Sequence, residues 1–568
     1  MNENGGLFSF RLAWLIPAAA LLTLGLGLWG WSSHHNIPFD EALYRSVALF
    51  DIDSNSYSNG EPLKDWRFRV GRWTGAGVIF SSLLALAALL HEHVAAALAR
   101  WTKQSVVVIG GTPLALAGFE AARKTRRGTL WLGAASFGAA GFRDIALAWP
   151  QRERTRAVRE HARNADHVLV ADNDDAAALS LARAAREAAP NAQITVLMRD
   201  VRLAEDAAAT LNEPRTRVLS TAAVSARALA AAHPPFLIAK QLGHPRIHAL
   251  MVGFGQAGQA IARDLIVNCR TTYLDLPRIT VIDPQAKALE GVLRVRAPEL
   301  DQCADTLFID GEIGGRAVRP NPAVIARDLA AGGPLTVAYV CLTEDVDALS
   351  AAATLQSLLR AMDIDQPPIF VQLRKAQVLG DGGGPGLDAL TAFGELDSVL
   401  EASEFLSTSP DATARAFCEA YRASLPAAER DDPENRSAFP WDRLDETWRQ
   451  TNRDLVAHMA AKLASADIPA DRWRGVAGTP RLLDSERLFH GHSDLELLAR
   501  LEHERWMAQR RMAGWRYTDA AARDQRRRLH PALQGYDLLT EQVKEYDRVM
   551  VRHTQHAVGG EPEPNGDG

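Results

Sequence analysis

The chain has 568 residues, 47% of them hydrophobic and 23% charged, with a formal net charge of −6. That length accommodates about three or four domains, the composition excludes a chain that stays unfolded, and so small a negative charge argues against nucleic acid as a partner. Four scattered cysteines, Cys269, Cys303, Cys341 and Cys418, form no Cys-x-x-Cys pair, which excludes a disulfide scaffold, leaves no metal expected, and fits a reducing compartment.

The first elements are apolar. Leu12 to Trp31 carries no ionisable side chain and ends on Trp29 and Trp31, the length and interfacial aromatics of a membrane-crossing helix. A second run over 73–98 begins at Trp73, is interrupted by His91-Glu92-His93, and ends near Arg100, Trp101 and Lys103. Residues 1–103 are therefore expected to be a two-helix transmembrane region with spans 12–31 and 73–98. The alternatives are a signal peptide for the first run and a buried helix for the second. Two spans put both termini on one side. The 32–72 connection, with Arg45, Lys64, Arg67, Arg69 and Arg72 against six acids, does not fix which side. Free cysteines and nucleotide-type folds place the large C-terminal part in the cytoplasm. Within the connection, FDEALYRSVALF (39–50) reads as a short amphipathic helix, either a small cap on the outer face, the preferred reading, or a pore helix. The sequence after it, DIDSNSYSNG, is not the backbone-carbonyl filter that potassium selectivity needs.

Alternating strand and helix signals follow. SVVVIGGTPLALAGFEAARK (105–124), ADHVLVADNDDAAALSLARAARE (165–187) and AQITVLMRD (192–200) run strand-then-helix, and the order recurs in IHALMVGFGQAGQAIARDL (247–265), RITVIDP (278–284), LTVAYVCLTEDVDALSAAATLQSLL (335–359) and PIFVQLRK (368–375). This grammar predicts two Rossmann-like parallel-sheet domains, over 104–235 and 246–424, related by internal duplication. In the second, Gly253 permits the tight turn, Gly255 lets a phosphate approach the backbone, and Gly258 lets the helix pack on the strand. Asp283, at the end of the next strand, is placed for ribose hydroxyls, although it lies 25 residues past Gly258 rather than the usual ~20. NAD(H) or another adenine nucleotide is the expected occupant; the alternative is an empty scaffold. The first half offers only Gly110, Gly111, Thr112 and Ala115, with no acid at the strand end, and reads as scaffold. His244 and His248, near the glycine loop, read as structural, and no catalytic residue is expected.

These pieces resemble tandem RCK domains, the TrkA-N-like regulators of potassium conductance, through VVVIGG with ADHVLVADNDDAAALSLA and through MVGFGQAGQAIA with VAYVCLTEDVDALSAAA. The resemblance spans about 104–375 and implies a cytoplasmic gating or nucleotide-sensing module of a channel or transporter.

The C-terminal third opens with the glycine-rich QVLGDGGGPGLD (377–388), helices over 393–421 and a polar linker (425–440). Trp441, Leu444, Trp448, Leu455, Met459 and Leu463 then make an amphipathic stripe that reads as core. Over 501–554, EHERW, AGWRY, RRRLHPALQGYDLL and KEYDR resemble the RyR domain, the repeat of ryanodine receptors, so 441–555 is expected to be a helical RyR-like domain and 556–568 a disordered tail. Eight arginines against four acids between Leu501 and His530, interleaved with aromatics, suit a nucleotide-type ligand. The expected pocket is Trp506, Arg510, Trp515, Tyr517, Arg527, Arg528 and Tyr536; the alternative is tryptophan core and solvated arginine.

The fold class expected is α/β, with two transmembrane helices, two Rossmann-like domains and an all-α RyR domain. The resemblances imply a multi-pass protein of a bacterial inner membrane, binding a small nucleotide-type ligand and assembled as a homo-oligomer, since two helices alone cannot enclose a pore. Three functions compete: a nucleotide-gated ion channel or ion-transport regulator, a membrane effector of a nucleotide second-messenger stress or phage-defence system, and an anchored NAD-dependent oxidoreductase.

Overall fold

The computed structural model describes residues 4–34, 37–50, 65–101, 105–125, 128–134, 138–141, 144–148, 153–211, 213, 215–314, 317–374, 390–476, 479–482, 488–520 and 522–559. They form two compact units, Met1–Thr102 and Lys103–Gly568.

The first unit has two long helices, α1 (Asn4–His34) and α3 (Trp66–Trp101), with α2 (Phe39–Val47) between them in sequence. At about 1.5 Å per residue each long helix exceeds the ~30 Å of a bilayer's hydrocarbon. The 39–50 segment is helical as its periodicity indicates. Ala42 and, just beyond α2, Leu49 are buried with Trp31 of α1 and Phe68 of α3. Glycines let the segment approach both helices. A Cβ on Gly27 would lie 2.7 Å from the Ser46 hydroxyl, and one on Gly75 would meet the Leu49 carbonyl. Leu21, Trp29, Trp73, Phe80 and Leu83 face outward, each more than half exposed. The side chains of 1–16 and 84–104, and all of 51–64, lie outside the described residues, so the whole apolar faces of the two expected spans are not in view.

The second unit opens with a seven-stranded sheet. Its elements are β1 (Val106–Ile109), α4 (Pro113–Lys124), β2 (Thr129–Ala134), β3 (Gly138–Gly141), β4 (Asp144–Ala148), α5 (Arg154–His161), β5 (His167–Val170), α6 (Asp175–Ala188), β6 (Gln193–Met198), α7 (Val201–Leu211), β7 (Thr216–Ser220), α8 (Thr221–Ala232) and α9 (Pro235–Leu242). The order is β3-β4-β2-β1-β5-β6-β7, parallel except for β3. The second half repeats it: β8 (His248–Val252), α10 (Gln256–Asn268), β9 (Arg278–Asp283), α11 (Ala286–Arg296), β10 (Asp305–Asp310), a small β11–β12 ribbon (Glu312–Ile313, Val318–Arg319), α12 (Pro322–Ala330), β13 (Val337–Val340), α13 (Asp345–Ala361), β14 (Ile369–Gln372) and β15 (Leu390–Phe393). This sheet, β10-β9-β8-β13-β14-β15, is wholly parallel. The central strands are fully buried and mostly aliphatic, as helices on both faces of a parallel sheet require. Two Rossmann-like sheets are thus present, in the doubly wound order whose switch point forms a crevice beside the first strand.

Thr221–Leu242 is long and apolar enough to cross a membrane, the one such stretch among the described residues. It is α8 and α9 broken at His233–Pro234, and its Ala226, Leu229 and Phe236 pack in the core around α10; a buried helix pair passes the same measure of length and hydropathy.

The helices read as trailing the second half cross back to the first. In α14 (Leu396–Ala402) and just after it, Val399, Leu400 and Phe405 pack with Phe119, Leu169 and Val224. The remainder comprises α15 (Ala412–Ser424), α16 (Ala427–Arg430), α17 (Glu446–Ala457), α18 (Met459–Ser465), a β16–β17 ribbon (Trp473–Val476, Thr479–Leu482), α19 (His492–Met512), a two-residue pair β18–β19 (Arg516–Tyr517, Leu529–His530) and α20 (Glu541–Gly559). The expected amphipathic stripe is not one helix: Trp441 and Leu444 precede α17, and the helix breaks at His458. Helix α20 runs to Gly559, so the first residues of the expected tail are helical; 560–568 and the glycine-rich 377–388 lie outside the described residues.

Candidate functional site

The glycine loop sits between β8 and α10, at the switch point where β8 neighbours both β9 and β13. Gly253 holds φ +89°, and a Cβ there would lie 2.6 Å from the Cys341 carbonyl at the end of β13. A Cβ on Gly258 would meet the Gly253 carbonyl at 2.7 Å, whereas one on Gly255 meets nothing within 4 Å. Two glycines therefore close the turn, and the middle one leaves open space in front of the helix. Gly255 is the N-cap of α10, and no side chain among the described residues caps it, so the N–H groups and positive end of the dipole are available to an anion. Asp283 turns toward the loop: Oδ2 accepts the Phe254 N–H at 2.8 Å and Oδ1 accepts the Gln285 N–H at 2.8 Å. It rigidifies the loop while keeping lone pairs for a ribose.

Helix α10 is buried along almost its whole length. Gln256 Oε1 accepts the Val201 N–H of α7 at 2.9 Å, joining the loop to the first half. Arg263 is paired with the fully buried Asp454 of α17 at 2.7 Å, and Gln509 of α19 donates to the same carboxylate at 2.9 Å. Asp264 carries no ion pair among the described residues; burial raises its pKa to about 6, while a hydrogen bond from Asn268 opposes the rise. His248 is buried between the Gly333 carbonyl and the Thr280 hydroxyl, with its pKa lowered to about 4 by burial, and His244 bonds Thr336. Both histidines fasten strands.

The first half superposes on this loop by register. Ile109 pairs with Leu132 as Val252 pairs with Ile282, and Gly110 and Gly253 each donate to those partners' carbonyls at 2.9 Å. Thr112 thus stands where Gly255 is, and Gly133 where Asp283 is. The Thr112 hydroxyl accepts the Ala115 N–H at 3.0 Å and donates to the Ala171 carbonyl at 2.8 Å, so the helix end is satisfied internally.

A second concavity, a cleft of about 1020 Å³, lies among α17, α19, α20 and the 421–437 segment. Of the residues expected to form a pocket, Trp506 lines it. Arg510 is buried behind that wall, its Cζ 4.2 Å from the Trp448 ring and 5.8–5.9 Å from Trp515 and Trp506. Its Nη2 has no hydrogen-bond partner among the described residues, and burial, with Arg505 and Arg523 nearby, lowers its pKa to about 10. Trp515 and Tyr536 are buried, and the Tyr536 hydroxyl bonds Glu496 at 3.1 Å. Tyr517 and Arg527 are on the exposed surface, and Arg528 donates to the Ala513 carbonyl at 2.7 Å. The structure thus gathers Trp506, Arg510 and Trp515 and disperses the other four. The cleft instead uses Trp448, His503, Arg436, Arg523 and His530. His503 stacks on Trp506 at 5.4 Å, and His530 meets it edge-on at 5.0 Å. The spacing His-x-x-Trp signalled the first contact; Trp448 was legible only as core. Among the described residues no group of three or more His, Cys, Asp or Glu is arranged to hold a metal ion.

Residues 490–558 match the RyR domain family. The C-terminal resemblance therefore holds, and the match begins near the start of α19 and ends at the last turn of α20. Among solved structures the chain is similar to a GsuK channel (10% identity, TM-score 0.35, covering 71% of this chain and 84% of that one). It is likewise similar to GsuK bound to ADP (11%, TM-score 0.33, 71% and 98%) and to a GsuK channel bound to NAD (11%, TM-score 0.36, 71% and 83%). No curated protein matches the chain.

Proposed function

We propose that the protein is a membrane-anchored ligand sensor without catalytic chemistry, in which an adenine nucleotide such as NAD(H) occupies the second Rossmann-like half and controls ion passage or ion transport. The observation that carries this reading is the state of the α10 N-terminus. It is uncapped by any side chain, open in front of Gly255, and flanked by an acid at the end of β9. The first half, with the same topology, has its equivalent helix end closed by Thr112. A sensor reading suits α10 better than an enzyme reading. The helix is embedded among α7, α8, α17 and α19 and tied to them by Gln256 and Arg263, so a phosphate that draws on its N-terminus biases the packing of both Rossmann halves and the helical module. Exposed apolar side chains on α1 and α3 favour lipid, and a homo-oligomer supplies the helices that a pore needs.

The test is nucleotide binding and ion flux in the full-length protein reconstituted in liposomes. NAD or ADP binds and alters flux in the natural protein. Gly255→Asp, which adds a negative charge in open space, removes the nucleotide bound at the glycine loop and the flux response while leaving the melting temperature unchanged. Unaltered binding in that variant, or turnover of a nicotinamide substrate, overturns the reading.

A further inference from the structure

The RyR family match starts at residue 490, yet one wall of the large cleft comes from residues before it: Tyr421, Asn435, Arg436 and Trp448. We propose that this cleft is a composite binding site for a planar, negatively charged heteroaromatic molecule, a nucleotide in chemical class, with its ring against Trp448 and Trp506 and its anionic group on Arg436 and Arg523. The inference rests on the ligand-sensor reading above and assigns it a second site.

Size is the first argument. About 1020 Å³ is at the upper end of the ~300–1,000 Å³ of small-molecule pockets. Charge is the second. Of the acids lining the cleft, Glu502 is matched by Lys462 at 2.8 Å and Arg505 at 2.7 Å. Asp547 faces His503 at 3.2 Å, and Glu429 accepts from Gln542 at 2.8 Å and the Tyr546 hydroxyl at 2.9 Å. Asp432 and Glu434 stand at the exposed mouth, where water screens them. The arginines are not matched. Arg523 makes one hydrogen bond, from Nη2 to Asn435 Oδ1 at 3.2 Å. Neither it nor Arg436 has an ion pair among the described residues, and behind them Arg510 is buried with an unpartnered Nη2. Asp445 acts on Arg436 and Arg510 through space without an ion pair to either among the described residues, so these guanidinium groups keep donors that an anionic group would satisfy with charge-assisted bonds. Aromatic surface is the third argument. Trp448 and Trp506 both border the cleft, and His530 stands edge-on to Trp506. His503 already stacks on one face of Trp506 and Arg510 on one face of Trp448; both rings are half-buried, and a base would stack on the surface each leaves open.

The experiment uses the full-length protein carrying Gly255→Asp, so that the glycine loop is silent. Isothermal titration is run with a panel of ribonucleoside mono- and diphosphates, the parent nucleosides and inorganic pyrophosphate. At least one nucleotide is expected to bind once per chain, with its nucleoside and pyrophosphate each at least about tenfold weaker, and Arg523→Ala or Trp448→Phe is expected to cost about tenfold. Both substitutions spare the fold, since Arg523 makes a single bond and Trp448 keeps an aromatic ring. No binding by any member of the panel to the Gly255→Asp protein overturns this site and leaves the glycine-loop reading intact. Binding unmoved by both substitutions also overturns it. Equal binding in natural and Gly255→Asp proteins overturns the glycine-loop reading instead and supports the cleft.

Discussion

The two Rossmann-like halves share strand order, register and the position of a left-handed glycine, and they differ at the place where a ligand would sit. Gly110 and Gly253 are both forced: each has a positive φ, and a Cβ on either would collide with the backbone at the end of the neighbouring crossover strand, at Ala171 or Cys341. Both halves keep what the backbone demands. They do not both keep the rest. Thr112 in place of Gly255 gives a self-capped helix instead of an open one, and Gly133 in place of Asp283 removes the acid. The surroundings diverge as well. Helix α10 is enclosed by α8 of the first half and by the helical module, whereas α4 keeps Glu120 at the surface, paired among the described residues only with Arg123 at 3.0 Å. The open helix end and the buried ties of that helix thus fall in the same half.

Three measurements sharpen that contrast. The largest effect is expected from Asp454→Ala, which leaves Arg263 of α10 without its partner; chemical denaturation should show a loss of about 3–5 kcal/mol, as for other buried pairs broken on one side. Glu120→Ala, at the matching position of α4, should cost under about 0.5 kcal/mol, as exposed pairs do, and similar losses at the two positions would erase the asymmetry. Next comes pH. Burial raises Asp264 to about 6, with Arg263 and Arg227 opposing and Asp454 adding to the rise. A carboxyl whose folded pKa lies above its unfolded value stabilises the fold in its protonated form. That stability is present at pH 4 and is lost as the pH climbs through about 6, a change of order 3 kcal/mol. Asp264→Asn should therefore gain on the natural protein between pH 4 and pH 7 in thermal denaturation; parallel curves would show that this carboxyl does not titrate in the fold. The matching residue of α4 is Ala121, so no such slope arises there. The smallest effect is Thr112→Ala, about 1 kcal/mol for the loss of an N-cap. No change in stability would mean that the first half's helix end is not closed by its own threonine.

The glycine loop was legible because everything that builds it lies within one strand, one turn and one helix, with Asp283 a single strand away. Local spacing carries such a site, and the same logic marked the first half as scaffold. The RyR segment was legible for a similar reason: its aromatic and arginine spacings are short-range. Its pocket was not. Tyr517, Arg527, Arg528 and Tyr536 have suitable chemistry, but the chain carries the first three to its surface or back onto its own backbone and spends the Tyr536 hydroxyl on Glu496. Trp448, read as part of a core stripe, borders the cleft together with Leu455 of the same helix, a placement set by the 421–437 segment and α19 across from it.

The sequence by itself determined the two βα-repeats, the glycine turn between β8 and α10, the long apolar N-terminal helices and the RyR segment, since periodicity, turn chemistry and spacing are local properties. Only the tertiary structure decided that α14 completes the first half's core, that α10 is tied to the helical module through Arg263, Asp454 and Gln509, and that Trp448 and Arg523 share a cleft. Those choices depend on which surfaces meet. Residues far apart in the chain come into register only when burial of apolar area and pairing of buried charge are satisfied together.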